Sequence, residues 1–328
     1  MIIDAKVIPT LDRSIFADMV RNKVSAVGVV CSIWEDLETS KEQLHELKAF
    51  IDANDDLVFE VDKVSRLESD EAKNRTGIII SWQNSTGFGG DVTNVQLFQD
   101  AGLRVVQPVF LARNEAGTGC LVSPDGGLTS YGQELIKALN FSGIAIDLSH
   151  VGNRTAGEVI RCSAAPVFYS MTSPRTLNNA MRNKSDDDMR MVADRGGVIC
   201  LTTLRPYLPS ANEATIENMA DAVLYVRRIV GDDAVGIGSD LIPGQDASFL
   251  EYVAHDLGTG KKLRDNVSGS IVLPGFEDFS GYGNLKNCLR RKGLSSTSLD
   301  KLFGKNLLRF FGQVWAGEAL PRTAAAVM

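Results

Sequence analysis

Short runs of apolar and β-branched residues recur along the chain, and the stretches between them repeat their apolar positions at helical spacing. Runs of this kind suit strands buried on both faces, as in a parallel sheet covered by helices. Eight are present: MIIDAKVI from Met1, AVGVVCSI from Ala26, GIIISWQ from Gly77, RVVQPVFL from Arg104, GIAIDLSH from Gly143, PVFYSMTS from Pro166, GVICLTT from Gly197 and AVGIGSDL from Ala234. The intervening pattern predicts helices near residues 40 to 53, 131 to 141, 153 to 164, 215 to 230 and 296 to 312. A further helix, over MRMVADRGG, has both ends written in the sequence: Ser185 caps, Asp188 returns the bond and Gly196 stops it. Eight strands alternating with helices, with no GxGxxG or P-loop after the first strand, predict an α/β fold of the closed (β/α)8 TIM-barrel type rather than an open doubly wound sheet.

The segment 241–286 is rich in Gly, Asp and Ser and lacks strong periodicity, so it reads as a long excursion after the eighth strand that shapes the pocket. The last helix, ending near Trp315, is expected to pack across the barrel, with 316–328 as a tail. With 44% hydrophobic residues there is material for one large core, and the expected organisation is a single domain over 1–328. A net charge of -7 with no basic run gives no footprint for nucleic acid or an anionic membrane, leaving a small-molecule substrate as the expected partner. Five scattered cysteines without CxxC spacing point to a reducing compartment, and no apolar stretch is long enough to span a membrane. The chain also begins without the features of a signal peptide, so the expected location is cytoplasmic.

Polar residues at the C-terminal ends of the predicted strands converge on one barrel face: Lys6, Gln83, Ser149 with His150, Thr172 with Ser173, Thr202 with Thr203, and Asp240. An imidazole at His150 and a carboxylate at Asp240 make a workable acid–base pair; the plainer reading of each is a hydrogen-bonded structural residue. His45 lies among Lys and Glu in a helical run and reads as surface, whereas His255 in the excursion either enters the pocket or braces its loop. Arg182, after the sixth strand, either clamps a substrate carboxylate or pairs at the surface with Asp186 to Asp188.

IDLSHVGNRTAGEVI from Ile146, APVFYSMTSPRTLNNAMRNKSDDDMRMVADRGGVICL from Ala165 and VGIGSDL from Val235 resemble the membrane (renal) dipeptidases, peptidase family M19 of the amidohydrolase superfamily. Weaker similarity extends over nearly the whole chain. The resemblance implies a barrel with two zinc ions held by a His-x-Asp on the first strand, a bridging Glu on the third, and one His each on the fifth and sixth. Here those positions fall on Lys6 and Ile8, Gln83, His150 and Met171, so of five implied ligands only His150 remains. The implied catalytic Asp is kept as Asp240 and the carboxylate-binding Arg as Arg182, while a His that steadies the reaction intermediate is replaced by Phe110. Lys6 either stands in for lost positive charge or neutralises Asp4 or Asp240.

The leading expectation is therefore a metal-independent enzyme with no cofactor. His150, Asp240 and Lys6 are its catalytic candidates, and Arg182, Gln83, Phe110, Asn114, Met171 and His255 its substrate contacts; the substrate is a small amino-acid-derived or amide-containing carboxylate. Hydrolysis, elimination, isomerisation and cyclisation are all open to such groups. A second expectation is a dipeptidase-type hydrolase with one zinc on His150, Asp240 and a loop residue such as His255. A third is a catalytically silent binding or scaffold protein. The resemblance also implies a homodimer.

Overall fold

All eight runs form strands, most of them stretches rich in Val, Ile and Leu, and each is buried on both faces. They are β1 (Ile3–Val7), β2 (Ala26–Ser32), β4 (Thr76–Trp82), β5 (Leu103–Val106), β6 (Ala145–Ile146), β7 (Tyr169–Thr172), β8 (Ile199–Leu201) and β9 (Val235–Ile237). An additional three-residue strand, β3 (Val58–Glu60), runs beside the start of β4 and was not foreseen. The computed structural model describes residues 1–256, 261–262 and 271–315, apart from the side chains of Glu71, His255, Asp256, Lys261 and Lys262. All pairings of β1 to β9 are parallel, in the order β6-β5-β4-β2-β1-β9-β8-β7. The sheet curls until its edges meet: Asp147 bridges Phe168, and the Leu148 and Phe168 amides bond across the seam at 2.9 and 3.1 Å.

The expected helices form as Leu37–Ala53, Ser130–Phe141, Asn153–Cys162, Asp186–Ala193 and Ile216–Val230, the fourth with the Ser185–Asp188 capping box. Unforeseen ones are Arg13–Arg21, Asn94–Asp100, and, in or entering the excursion, Ala247–Ala254 and Gly281–Arg291. The last predicted helix is broken into Ser296–Asp300, a π turn over Lys301–Lys305, and Asn306–Trp315. Leu307, Phe310, Phe311 and Val314 of that final piece join the inward-facing Ile3, Ala5, Ile79, Val105 and Phe168, plugging the N-terminal end of the barrel. The predicted tail 316–328 and much of 257–270 lie outside the described residues.

Two local irregularities decide which side chains enter the barrel. Between Asp4 and Val7, β1 advances three residues while β2 advances two, and β7 does the same against β8 between Tyr169 and Thr172. Each is the signature of an extra residue, which re-aims the side chains around it. In β1 it separates neighbours that simple alternation would place together. Asp4 points outward to Tyr282 and Ser239, whereas Lys6 points inward to Asp147. Lys6 therefore does not neutralise Asp4, one of the two structural roles open to it from sequence.

Candidate active site

The strand ends bring Lys6, Gln83, His150, Met171, Arg182 and Asp240 together at the C-terminal mouth, none of them more than 5% exposed. Asp240 joins two of its neighbours: its amide bonds the Lys6 carbonyl at 2.9 Å, and its carboxylate lies 3.5 Å from the Arg182 guanidinium. Its φ of 59° is left-handed, a conformation uncommon outside glycine, and it directs the carboxylate across the mouth at the end of β9. The approach that makes this possible is two residues earlier, where any Cβ on Gly238 would overlap the Ser170 carbonyl oxygen.

Arg182 is not a surface partner of the Asp186–Asp188 cluster. Its guanidinium stacks on Tyr207 at 3.9 Å and contacts the Met171 sulfur at 3.5 Å, so its plane is fixed on one face and its edge meets Asp240. His150 sits with Nε2 3.0 Å from the Gln83 amide, and the Phe110 ring meets the imidazole edge-on at 4.6 Å. Phe110 in turn belongs to an apolar roof with Ile8, Val30, Ile33, Leu111, Cys120 and Val253. Helix Ala247–Ala254 closes that roof, its Tyr252 hydroxyl donating to Glu35 in the loop after β2. Asn114 is placed differently. Its amide donates to Asn84, Ser85 and Pro108 and accepts from the Ala116 and Gly117 amides, so it braces its own loop. The His255 side chain lies outside the described residues.

The residue that sequence reasoning passed over is Asp147. Fully buried at the barrel seam, it accepts from Gln107 Nε2 at 2.5 Å, the Ser149 and Ser170 amides at 3.0 and 2.9 Å, and both serine hydroxyls. Its only sequence signal is its place in IDLSH, three residues before His150. The Lys6 ammonium is 3.9 Å from it, beyond hydrogen-bonding reach, and Lys6 Nζ is buried with no hydrogen-bond partner. Burial pushes the Lys6 pKa below its usual value; Asp147 and Asp240 oppose that shift and Arg182 adds to it. Gln83 Oε1, Gln107 Oε1, Ser173 Oγ and Arg182 Nε are also buried without partners, so unspent polar capacity collects around the mouth.

The two zinc ions that the resemblance implies do not fit these donors. Around His150 stand an amide, a thioether, an amine and a guanidinium; Asp147 is fully engaged by five donors, and Asp240 faces Arg182. The Arg182 guanidinium within this cluster opposes a divalent ion, and among the described residues no three His, Cys, Asp or Glu side chains converge to hold one.

A closed barrel with its polar residues gathered at the C-terminal mouth is a TIM-barrel enzyme architecture, and solved structures place it with the amidohydrolase-type barrels. An amidohydrolase from Pseudomonas aeruginosa superposes with a TM-score of 0.93 at 33% identity, over 96% of this chain and 97% of its own. The probable dipeptidase PvdM from the same organism superposes at 0.81 and 20% identity, over 97% and 96%, a likeness of fold. The profile of the membrane dipeptidases, peptidase family M19, matches residues 13–252, and the chain belongs to that family. An uncharacterised dipeptidase of Schizosaccharomyces pombe is 31% identical over 189 residues, 57% of this chain; the match spans about two fifths of that relative's length, 39%.

Proposed function

We propose that this member of the family is a metal-independent enzyme acting on a small amino-acid-derived or amide-containing carboxylate. The observation that carries the reading is the buried set itself: an imidazole, a carboxylate, an amine and a guanidinium share one mouth, an arrangement that disfavours a divalent ion. Arg182, held flat by Tyr207, binds the substrate carboxylate in its planar fork. That displaces Asp240 from the guanidinium, and the freed carboxylate exchanges a proton with the reacting group. His150, set by Gln83 and kept from water by Phe110, serves as the partner base or acid. Lys6 faces the reacting carbonyl. All five cysteines are free, which accords with work in the reducing cytoplasm; the dimer implied by the resemblance is checked by light scattering.

The test is metal content by mass spectrometry, on protein purified without chelator and again after zinc loading and desalting, beside turnover of an amide panel with chelator present. Substoichiometric metal in both samples and turnover that survives chelation but is lost in His150→Ala are expected. Stoichiometric zinc that disappears in Asp240→Asn would replace this reading with the mononuclear one.

A further inference from the structure

We propose that Lys6 forms an imine with the carbonyl of a small 2-oxo acid whose carboxylate is held by Arg182. The inference rests on the metal-free reading of the same site. Its ground is the way Asp147 is occupied. Five donors converge on that carboxylate, from Gln107, Ser149 and Ser170, and leave it no lone pair directed at Lys6, whose nitrogen stops 3.9 Å away. An ammonium in this position keeps three buried donors unmet, whereas the neutral amine keeps fewer and presents a lone pair to the mouth. Burial favours the neutral form for the same reason. Lysines made nucleophilic by desolvation beside another cation attack carbonyls, and Arg182 is that cation.

Asp240 and Arg182 lie close enough to the Lys6 amine to act on its charge, and the Asp240 carboxylate meets Arg182, so amine and guanidinium share one side of the mouth. A molecule with a carbonyl next to a carboxylate matches that pairing. In the reaction the amine lone pair forms a C–N bond to the carbonyl carbon as the C=O π pair moves to oxygen. The two amine hydrogens then pass to that oxygen by way of Asp240 and His150, the C–O bond breaks, and water leaves. Amine and carbonyl thus give imine and water, with no change of oxidation state.

The full-length protein is incubated with pyruvate and cyanoborohydride near neutral pH, and its peptides are mapped by mass spectrometry. Lys6 is expected to carry a reduced pyruvate adduct, formed saturably and about tenfold or more faster than on surface lysines, the scale of one charge-assisted contact. Acetaldehyde, which lacks the carboxylate, should show a smaller preference on the same unaltered protein, and Arg182→Met should slow Lys6 labelling by pyruvate while leaving that of surface lysines unchanged. Equal labelling of Lys6 and surface lysines by pyruvate overturns the imine, and an equal preference with acetaldehyde overturns the 2-oxo acid held by Arg182. Metal content measured on the same sample separates the two failures: stoichiometric zinc removes the metal-free reading as well, and a metal-free sample without the adduct removes the imine alone.

Discussion

Replacing Asp147 tests whether the barrel seam is held by a saturated carboxylate. In Asp147→Ala the Gln107 amide and the Ser149 and Ser170 backbone amides lose their acceptor, while the two serine hydroxyls can turn elsewhere. Three fixed, buried donors left unmet at about 1 to 2 kcal/mol each amount to roughly 3 to 6 kcal/mol. That is a large share of the roughly 5 to 15 kcal/mol that holds a domain together. Asp147→Asn is the informative companion. Its oxygen can keep the three bonds now made to Oδ1, and its amide can meet Gln107, whose Oε1 is presently without a partner and turns inward when the side-chain amide flips. The asparagine should therefore cost only about 1 to 2 kcal/mol. Urea unfolding followed by circular dichroism, with equal slopes required for all three proteins, gives both values. If the alanine protein lies within about 1 kcal/mol of wild type, or the two variants are indistinguishable, the five-donor account of the seam is wrong.

Asp4, fully buried between β1, Ser239 and Tyr282, has its pKa raised from 3.8 to about 6 by desolvation, against the opposing hydrogen bonds. The folded state thus holds this proton more tightly than the unfolded chain, so the group's contribution falls as pH rises from about 4 to 6, by about 3 kcal/mol in all. Asp4→Asn should remove that fall from a pH series of unfolding free energies, and an unchanged difference between the two proteins across the window would refute it. Gly238→Ala puts a methyl into the Ser170 carbonyl and should lower stability by about 1 to 3 kcal/mol or more; thermal unfolding within a degree of wild type would contradict the close approach.

The eight barrel strands were legible because parallel strands covered on both sides are unbroken apolar runs, as in GIIISWQ. β3 was not, since VFE is too short to stand out from its polar surroundings, and the helix Ala247–Ala254 is only two turns long in a Gly- and Asp-rich segment. At the mouth, Lys6, His150 and Asp240 were readable as polar residues ending apolar runs. Asp147 was hidden because, Ser149 aside, its partners come from other segments, Gln107 beyond β5 and Ser170 in β7, and only closure of the barrel joins them. Asn114 read as a substrate contact for a related reason: two of the partners that occupy its amide, Asn84 and Ser85, are distant in sequence.

The slipped register of β1 bears on how such a site can change over evolutionary time. A strand that alternates strictly can gain an inward side chain only by substitution, at the expense of one that already packs there. Where one residue more is carried than the neighbouring strand matches, Ala5 continues the apolar floor and Lys6 is added above it, while Val7 still packs outside. A single-codon deletion at this point could remove the amine and leave the alternation on both sides intact. The chemistry at the first strand can thus be gained or lost by insertion and deletion, independently of the packing that keeps the barrel closed.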